Sequence, residues 1–190
     1  MQITSSKQTT LSLSTASLGD VLAINNLINK FAAKNLLLKR SIEDIRSDID
    51  TFIIVRENPV VKTKTTTTIA QSRTPIVIND LHPARNKGVI IGCVSLYRYS
   101  SVLAEIRSLC VEEAYQGLGI ARRLLEEAIV LARRLDIKQL LSFTVEAEQF
   151  FIKLGFTHVT KERLPGKVMK DCQKCPCYGN CSAKSYRLSL

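Results

Sequence analysis

No stretch of this 190-residue chain approaches the run of about 18 apolar residues that crosses a bilayer. The N-terminus also lacks the apolar core of a secretory signal. Its first residues are rich in Ser and Thr and poor in acid, which permits a transit peptide, but Thr10–Leu13 already reads as a strand and leaves little to remove. The expectation is a soluble protein of the cytoplasm or of an organelle stroma, with no membrane partner. Acidic residues are scarce: 17 Asp and Glu stand against 27 Lys and Arg, a net charge of +10. Most of that excess reads as solvated surface, and its functional side is the attraction of a polyanionic ligand. A basic stripe with interleaved aromatics is missing, which argues against nucleic acid. Histidine is nearly absent, and His82 and His158 read as surface or packing residues.

The length suits one domain, residues 1–190, with a sizeable core. Residues 9–15 alternate as an edge strand does. Ser17 with Asp20 forms a capping-box start for a helix burying Val21, Leu22, Ile24, Leu27, Ile28 and Phe31. Ser41 with Asp44 opens a shorter helix through Ile45 and Ile49. Thr51–Arg56 and Gly88–Tyr99 are β-rich runs. Residues 57–87 between them hold a Thr/Lys tract, Pro59, Pro75 and Pro83, and no periodic apolar face, so they read as a flexible insertion in a hairpin connection. Leu103–Val111 is the next strand, Ile137–Val145 a strand parallel to it, and Ala147–Leu154 a short helix capped by Gly155. Phe156–Thr160 and roughly Lys184–Leu190 read as closing antiparallel strands.

Residues 109–121 carry the chemistry. The strand end Leu109, Cys110, Val111 passes through a turn into a helix whose apolar stripe is Ile120, Leu124, Ala128, Leu131 and Leu135. Gly117 and Gly119, flanking Leu118, have no Cβ, so another molecule can approach the backbone where the first helical N–H groups lack partners. Those groups and the helix dipole favour a phosphate. Val111, four residues, then Gln116-x-x-Gly119-x-Ala121 resembles the acetyl-CoA-binding motif of the GNAT superfamily of N-acetyltransferases. Phe150–Phe156 resembles the short helix, capping glycine and strand that close such domains. The resemblance implies an α/β (α+β) fold: a mixed, mostly antiparallel sheet flanked by helices, with a V-shaped acetyl-CoA cleft. Backbone N–H groups over Gln116–Ala121 would hold the pyrophosphate, and the edge of Leu109–Val111 the pantetheine.

A closer resemblance lies in three segments: 35–41 (Asn-Leu-Leu-Leu-Lys-Arg-Ser), 104–109 (Ala-Glu-Ile-Arg-Ser-Leu) and 164–176 (from Leu-Pro-Gly-Lys to Lys-Cys-Pro). Together they resemble the short, single-domain N-acetylglutamate synthases, which implies transfer of acetyl from acetyl-CoA to the α-amine of L-glutamate, the first step of arginine biosynthesis. The two-domain forms carry a kinase-like domain for which this length has no room, so arginine feedback through one is not expected. The acceptor amine must lose a proton, and Glu105 is the candidate base. Many relatives place a proton-donating tyrosine where this chain has Phe151; Thr144 matches a hydroxyl position in the synthases and could serve the departing thiolate. Guanidinium groups bind carboxylates bidentately. Arg40, beside Lys39, falls where the synthases place a substrate arginine, and as a cation at a helix start it opposes the dipole. Arg98 and Arg107 are further candidates, and Arg107 reads equally as a surface partner of Glu105.

The C-terminal segment 164–190 departs from the pattern. An acidic pair expected after the last cysteine is replaced by Ser182-Ala183, and Lys184-Ser185 stands where two-domain synthases have an Arg-Ser-like pair. Cys93 and Cys110 read as buried apolar residues. Cys172, Cys175, Cys177 and Cys181 admit structural zinc, an iron–sulfur cluster, a disulfide or reduced thiols in a turn, their spacing being tight for a tetrahedron. Three rivals remain: the same chemistry on another amino acid, a polyamine or a protein amine; a non-catalytic acetyl-CoA or amino-acid binder; and a cysteine module that recruits a partner. A homo-oligomer is left open.

Overall fold

The structure, a computed structural model, describes residues 9–59, 88–173 and 175–190. Its strands are β1 (Thr9–Thr15), β2 (Ile53–Pro59), β3 (Val89–Arg98), β4 (Leu103–Val111), β5 (Gln139–Thr144), β6 (Thr157–Val159) and β7 (Lys184–Ser189). They form one seven-stranded sheet in the order β1-β2-β3-β4-β5-β7-β6. Every neighbouring pair is antiparallel except β4 with β5. The helices are α1 (Val21–Ala32), α2 (Ile42–Ser47), α3 (Ile120–Arg134), α4 (Glu148–Lys153) and α5 (Gly166–Gln173).

Successive strand side chains point to opposite faces. In β2, Ile53 and Val55 enter one core and Ile54 the other. The first face is covered by α3 and α4, with Ile120, Leu124, Leu125, Ala128, Ala132 and Phe151 packed on the sheet. The second is covered by α1 and α2 through Val21, Ile24, Leu27, Ile28, Phe31 and Ile45. On that second face, further along the sheet, Val168 of α5 joins Leu164 against Leu103, Leu141 and Val159. Beneath α1, Arg56 forms a buried ion pair with Asp20, the residue that caps the helix.

The mixed sheet and flanking helices are those expected from the sequence, with differences of local cause. Leu22, assigned to the buried stripe of α1, is exposed, because its neighbours Val21 and Ile24 already face the sheet. Both capping boxes form, but Ser17 and Asp20 open a 3-10 turn ahead of α1 rather than the helix itself. β2 runs on through Glu57, Asn58 and Pro59, which pair with β1, so those three residues are strand and not insertion. The rest of the insertion, with His82, lies outside the described residues. Helix α5 was missed, since Pro165, glycine and a cysteine-rich flank mask the signal of its buried Val168.

Candidate active site

The cradle forms where the glycines place it. Gly117 and Gly119 both lie in the left-handed region, at φ 77° and 80°, and an added Cβ at either would meet nothing within 4 Å. Gly119 is the N-cap of α3, whose first turn holds no acidic residue. Gln116 Nε2 donates to the Val111 carbonyl at 3.0 Å, tying the turn to the strand end. Leu118 is exposed, Ile120 is buried in the core, and Ala121 is half-buried. The adjoining Glu112 and Glu113 are paired with Lys30 of α1 and with Lys34 just beyond its end. These lysines offset the two carboxylates that would otherwise repel an anion. The open space, positive φ and unpaired first-turn N–H groups fit a pyrophosphate.

Strand β4 opens a cleft beside the cradle. It pairs with β5 only from Leu103–Gln139 to Ile106–Ser142. Its ladder with β3 slips between Cys93–Cys110 and Ser95–Arg107, and Ser108 there takes φ 56°. This bulge bends the strand. Past it, β4 has no ladder with β5, so the edge of Leu109, Cys110 and Val111 faces the gap. The Cys110 and Val111 side chains are buried on opposite faces, which leaves their backbone to meet a ligand.

Glu105 is buried on the α1–α2 face of the sheet within a network of which the sequence suggested only the Arg107 partner. The Tyr99 hydroxyl donates to Glu105 Oε2 at 2.5 Å and accepts from Arg107 Nη2 at 2.9 Å. Arg107 Nη2 also lies 2.9 Å from Glu105 Oε2. The Arg107 guanidinium stacks 3.7 Å from the centroid of the Tyr97 ring, and Tyr97 meets Tyr99 edge-on at 5.0 Å. Burial, then the charge and hydrogen bond of Glu105, push the Tyr99 hydroxyl far above its ordinary range, so it stays a donor. Tyr97 and Tyr99 follow from strand alternation, since β3 pairs Tyr97 with Glu105 and Ser95 with Arg107.

Arg40 lies on the same face. It pairs with Asp48 Oδ2 at 2.7 Å and donates to the Asp44 carbonyl at 3.3 Å, while Asn25 Nδ2 holds the Arg40 carbonyl at 2.8 Å. Its Nη1 is buried with no hydrogen-bond partner among the described residues. The Arg107 charge reaches Asp44 in α2, so the two guanidiniums border one region. Lys39 is exposed beside them.

Other candidates stand apart. Arg98 alternates to the opposite face from Tyr97 and is exposed, so the structure does not bring it to Glu105. Lys184 pairs with Glu148 Oε2 at 2.6 Å, and the Ser185 hydroxyl donates to the Val159 carbonyl at 2.7 Å. Thr144 Oγ1 accepts from the Ala147 N–H at 2.9 Å, which shapes the entry to α4. Phe151 is packed edge-on with Phe156 and stacked with Tyr186. The six cysteines are free thiols. Among the described residues no three His, Cys, Asp or Glu side chains gather as metal ligands, so the zinc reading of Cys172, Cys175, Cys177 and Cys181 finds no support. No helix among them is long and apolar enough to cross a membrane.

A parallel β4–β5 pair that splays beside a glycine cradle defines a class. The acetyltransferase (GNAT) domain family matches residues 78–158. An uncharacterized N-acetyltransferase of Chlorobaculum tepidum is 30% identical over 161 residues, which span 85% of this chain and 84% of that protein. The chain belongs to the GNAT family of N-acetyltransferases. An amino-acid acetyltransferase of Ralstonia nicotianae is 29% identical over 79% of this chain, but only 27% of that longer protein is covered. The structure of N-acetylglutamate synthase from Neisseria gonorrhoeae, complexed with coenzyme A and N-acetyl-glutamate, has the same fold at a TM-score of 0.72 and 23% identity, over 95% of this chain and 35% of that one.

Proposed function

We propose that this protein transfers the acetyl group of acetyl-CoA to the α-amine of L-glutamate, by direct attack within a ternary complex. The observation that carries the acceptor class is the buried, unpartnered Nη1 of Arg40 on the face that holds Glu105 and Arg107. A carboxylate would supply the missing hydrogen-bond acceptor, which an ammonium group, a donor only, cannot. The amino-acid acetyltransferases among the relatives support the same class.

The cradle of Gln116–Ala121 and the free edge of Leu109–Val111 would hold acetyl-CoA, which when bound supplies the activated acetyl group. Arg40 and Arg107, with Lys39 at the rim, orient the acceptor carboxylates. Glu105 takes the amine proton, directly or through a water, and Tyr99 with Arg107 fixes the carboxylate that receives it. Thr144, at the end of β5, retains a hydroxyl proton for the departing thiolate, because its oxygen serves only as acceptor to Ala147. Lys184 and Ser185 are engaged with Glu148 and Val159 and take no part. The test is CoA release with a panel of amines: turnover restricted to acidic amino acids supports the reading, and turnover on polyamines or peptides instead refutes it.

A further inference from the structure

The cysteine segment has a geometry that the acetyl-transfer reading does not use. Cys172 lies in the last turn of α5, and the Cys175 N–H donates to the Cys172 carbonyl at 3.0 Å. The chain keeps turning: Tyr178 N–H meets the Cys175 carbonyl at 2.9 Å, and Asn180 N–H the Cys177 carbonyl at 3.1 Å. Lys161 Nζ holds the Cys181 carbonyl at 3.0 Å, which anchors the far end against the turn after β6. Cys172 and Cys175 are half-buried, and Cys177 and Cys181 exposed.

An i to i+3 hydrogen bond keeps the end Cα atoms within about 7 Å of each other. A disulfide spans Cα separations of about 4.4–6.8 Å. The turn therefore brings the Cys172 and Cys175 Cα atoms close to the range a disulfide spans, and the Cys175 thiol also meets that of Cys177.

We propose that Cys172 and Cys175 form a redox-active dithiol that a peroxide closes into a disulfide, a modification that the acetyl transfer itself does not use. One thiolate attacks the peroxide O–O bond, which breaks to leave a sulfenic acid and hydroxide. The second thiolate attacks that sulfur, forms the S–S bond and expels a second hydroxide. The two thiol protons convert both hydroxides to water, and the two electrons lost by sulfur reduce the peroxide. Burial, then the charges of Glu105, Cys181 and Cys175, raise the Cys172 thiol above its ordinary range. Of the two sulfurs of the bridge, that of Cys172 is the slower to leave when a reductant attacks Cys175. Closing it fastens the end of α5 to the following turn. The same helix packs through Val168 on Leu103 of β4, two residues from Glu105.

The test is peptide mapping of the full chain after exposure to hydrogen peroxide and alkylation of the remaining thiols. Lys174 separates the two cysteines, so tryptic cleavage there leaves two peptides that only the bridge holds together. The expected result is that linked pair, lost in Cys172→Ser and in Cys175→Ser, retained in Cys177→Ser and Cys181→Ser, and reversed by dithiothreitol. Its formation speeds up as pH rises and thiolate accumulates. A bridge elsewhere, six alkylated cysteines after oxidation, or thiols protected by a bound metal ion in native mass spectrometry would overturn it. The mapping does not depend on which amine the protein acetylates.

Discussion

The Tyr99 hydroxyl bridges Glu105 and Arg107, donating to the carboxylate at 2.5 Å and accepting from the guanidinium at 2.9 Å. The proposed base, Glu105, thus sits in a fixed orientation on a strand, where its position does not depend on a loop. Tyr99→Phe keeps the ring against Tyr97 and removes only the oxygen. The expected outcome is a fall in kcat of roughly 10-fold with little change in thermal midpoint, from the loss of hydrogen bonds worth about 1–2 kcal/mol. Steady-state kinetics beside a melting curve checks it.

Gly119→Ala separates backbone from ligand effects. Nothing lies within 4 Å of the added Cβ, so the folded chain meets no clash and bears only the strain of an alanine at φ 80°. That strain is about 1 kcal/mol. The methyl group fills the space a phosphate would occupy, so KM for acetyl-CoA rises far more than the stability loss explains. Isothermal titration with CoA and a urea melt of the same variant read the two effects apart.

Asp20 and Arg56 form the buried ion pair of the α1 face. Burial alone would raise the Asp20 carboxyl, but the Arg56 hydrogen bond and the Ser17 backbone and hydroxyl hold it below the ordinary carboxylate range. A group with a depressed folded pKa adds stability that is complete above its unfolded value and is lost as pH falls through the folded one. Asp20→Asn removes the carboxylate of this buried pair and costs about 3–5 kcal/mol at neutral pH. The cost shrinks in acid, below the ordinary range for aspartate, as the wild type also loses the pair. Urea unfolding of both proteins across that window measures it.

The strand-to-cradle segment was readable because its signals are local. Leu103–Val111 and Gly117–Gly119 declare themselves by apolar pattern and by the absence of Cβ atoms, and both lie where the sequence places them. Glu105 was readable as a residue, and Arg107 as a partner for it, but Tyr99 was not. Tyr99 reaches it across a hairpin, and a single sequence read without register does not say which tyrosine faces which carboxylate. Arg98 shows the same limit from the other side, since one step along a strand moves a charge to the opposite face. The bulge at Ser108 was also hidden, because nothing about serine marks a left-handed strand residue. Helix α5 and the turns after it lack a long apolar stripe, so the resemblance over 164–176 and the cysteine count pointed to the segment but not to a helix.

The acceptor is tested most directly by CoA release with L-glutamate as the acceptor, for the wild type and for Arg40→Ala. The account predicts glutamate-dependent turnover in the wild type and a roughly 10- to 100-fold rise in the glutamate KM for the variant, the loss of charge-assisted hydrogen bonds, with the KM for acetyl-CoA unchanged. Turnover on some other amine that is indifferent to Arg40→Ala would contradict the glutamate assignment, while leaving the acetyltransferase in place.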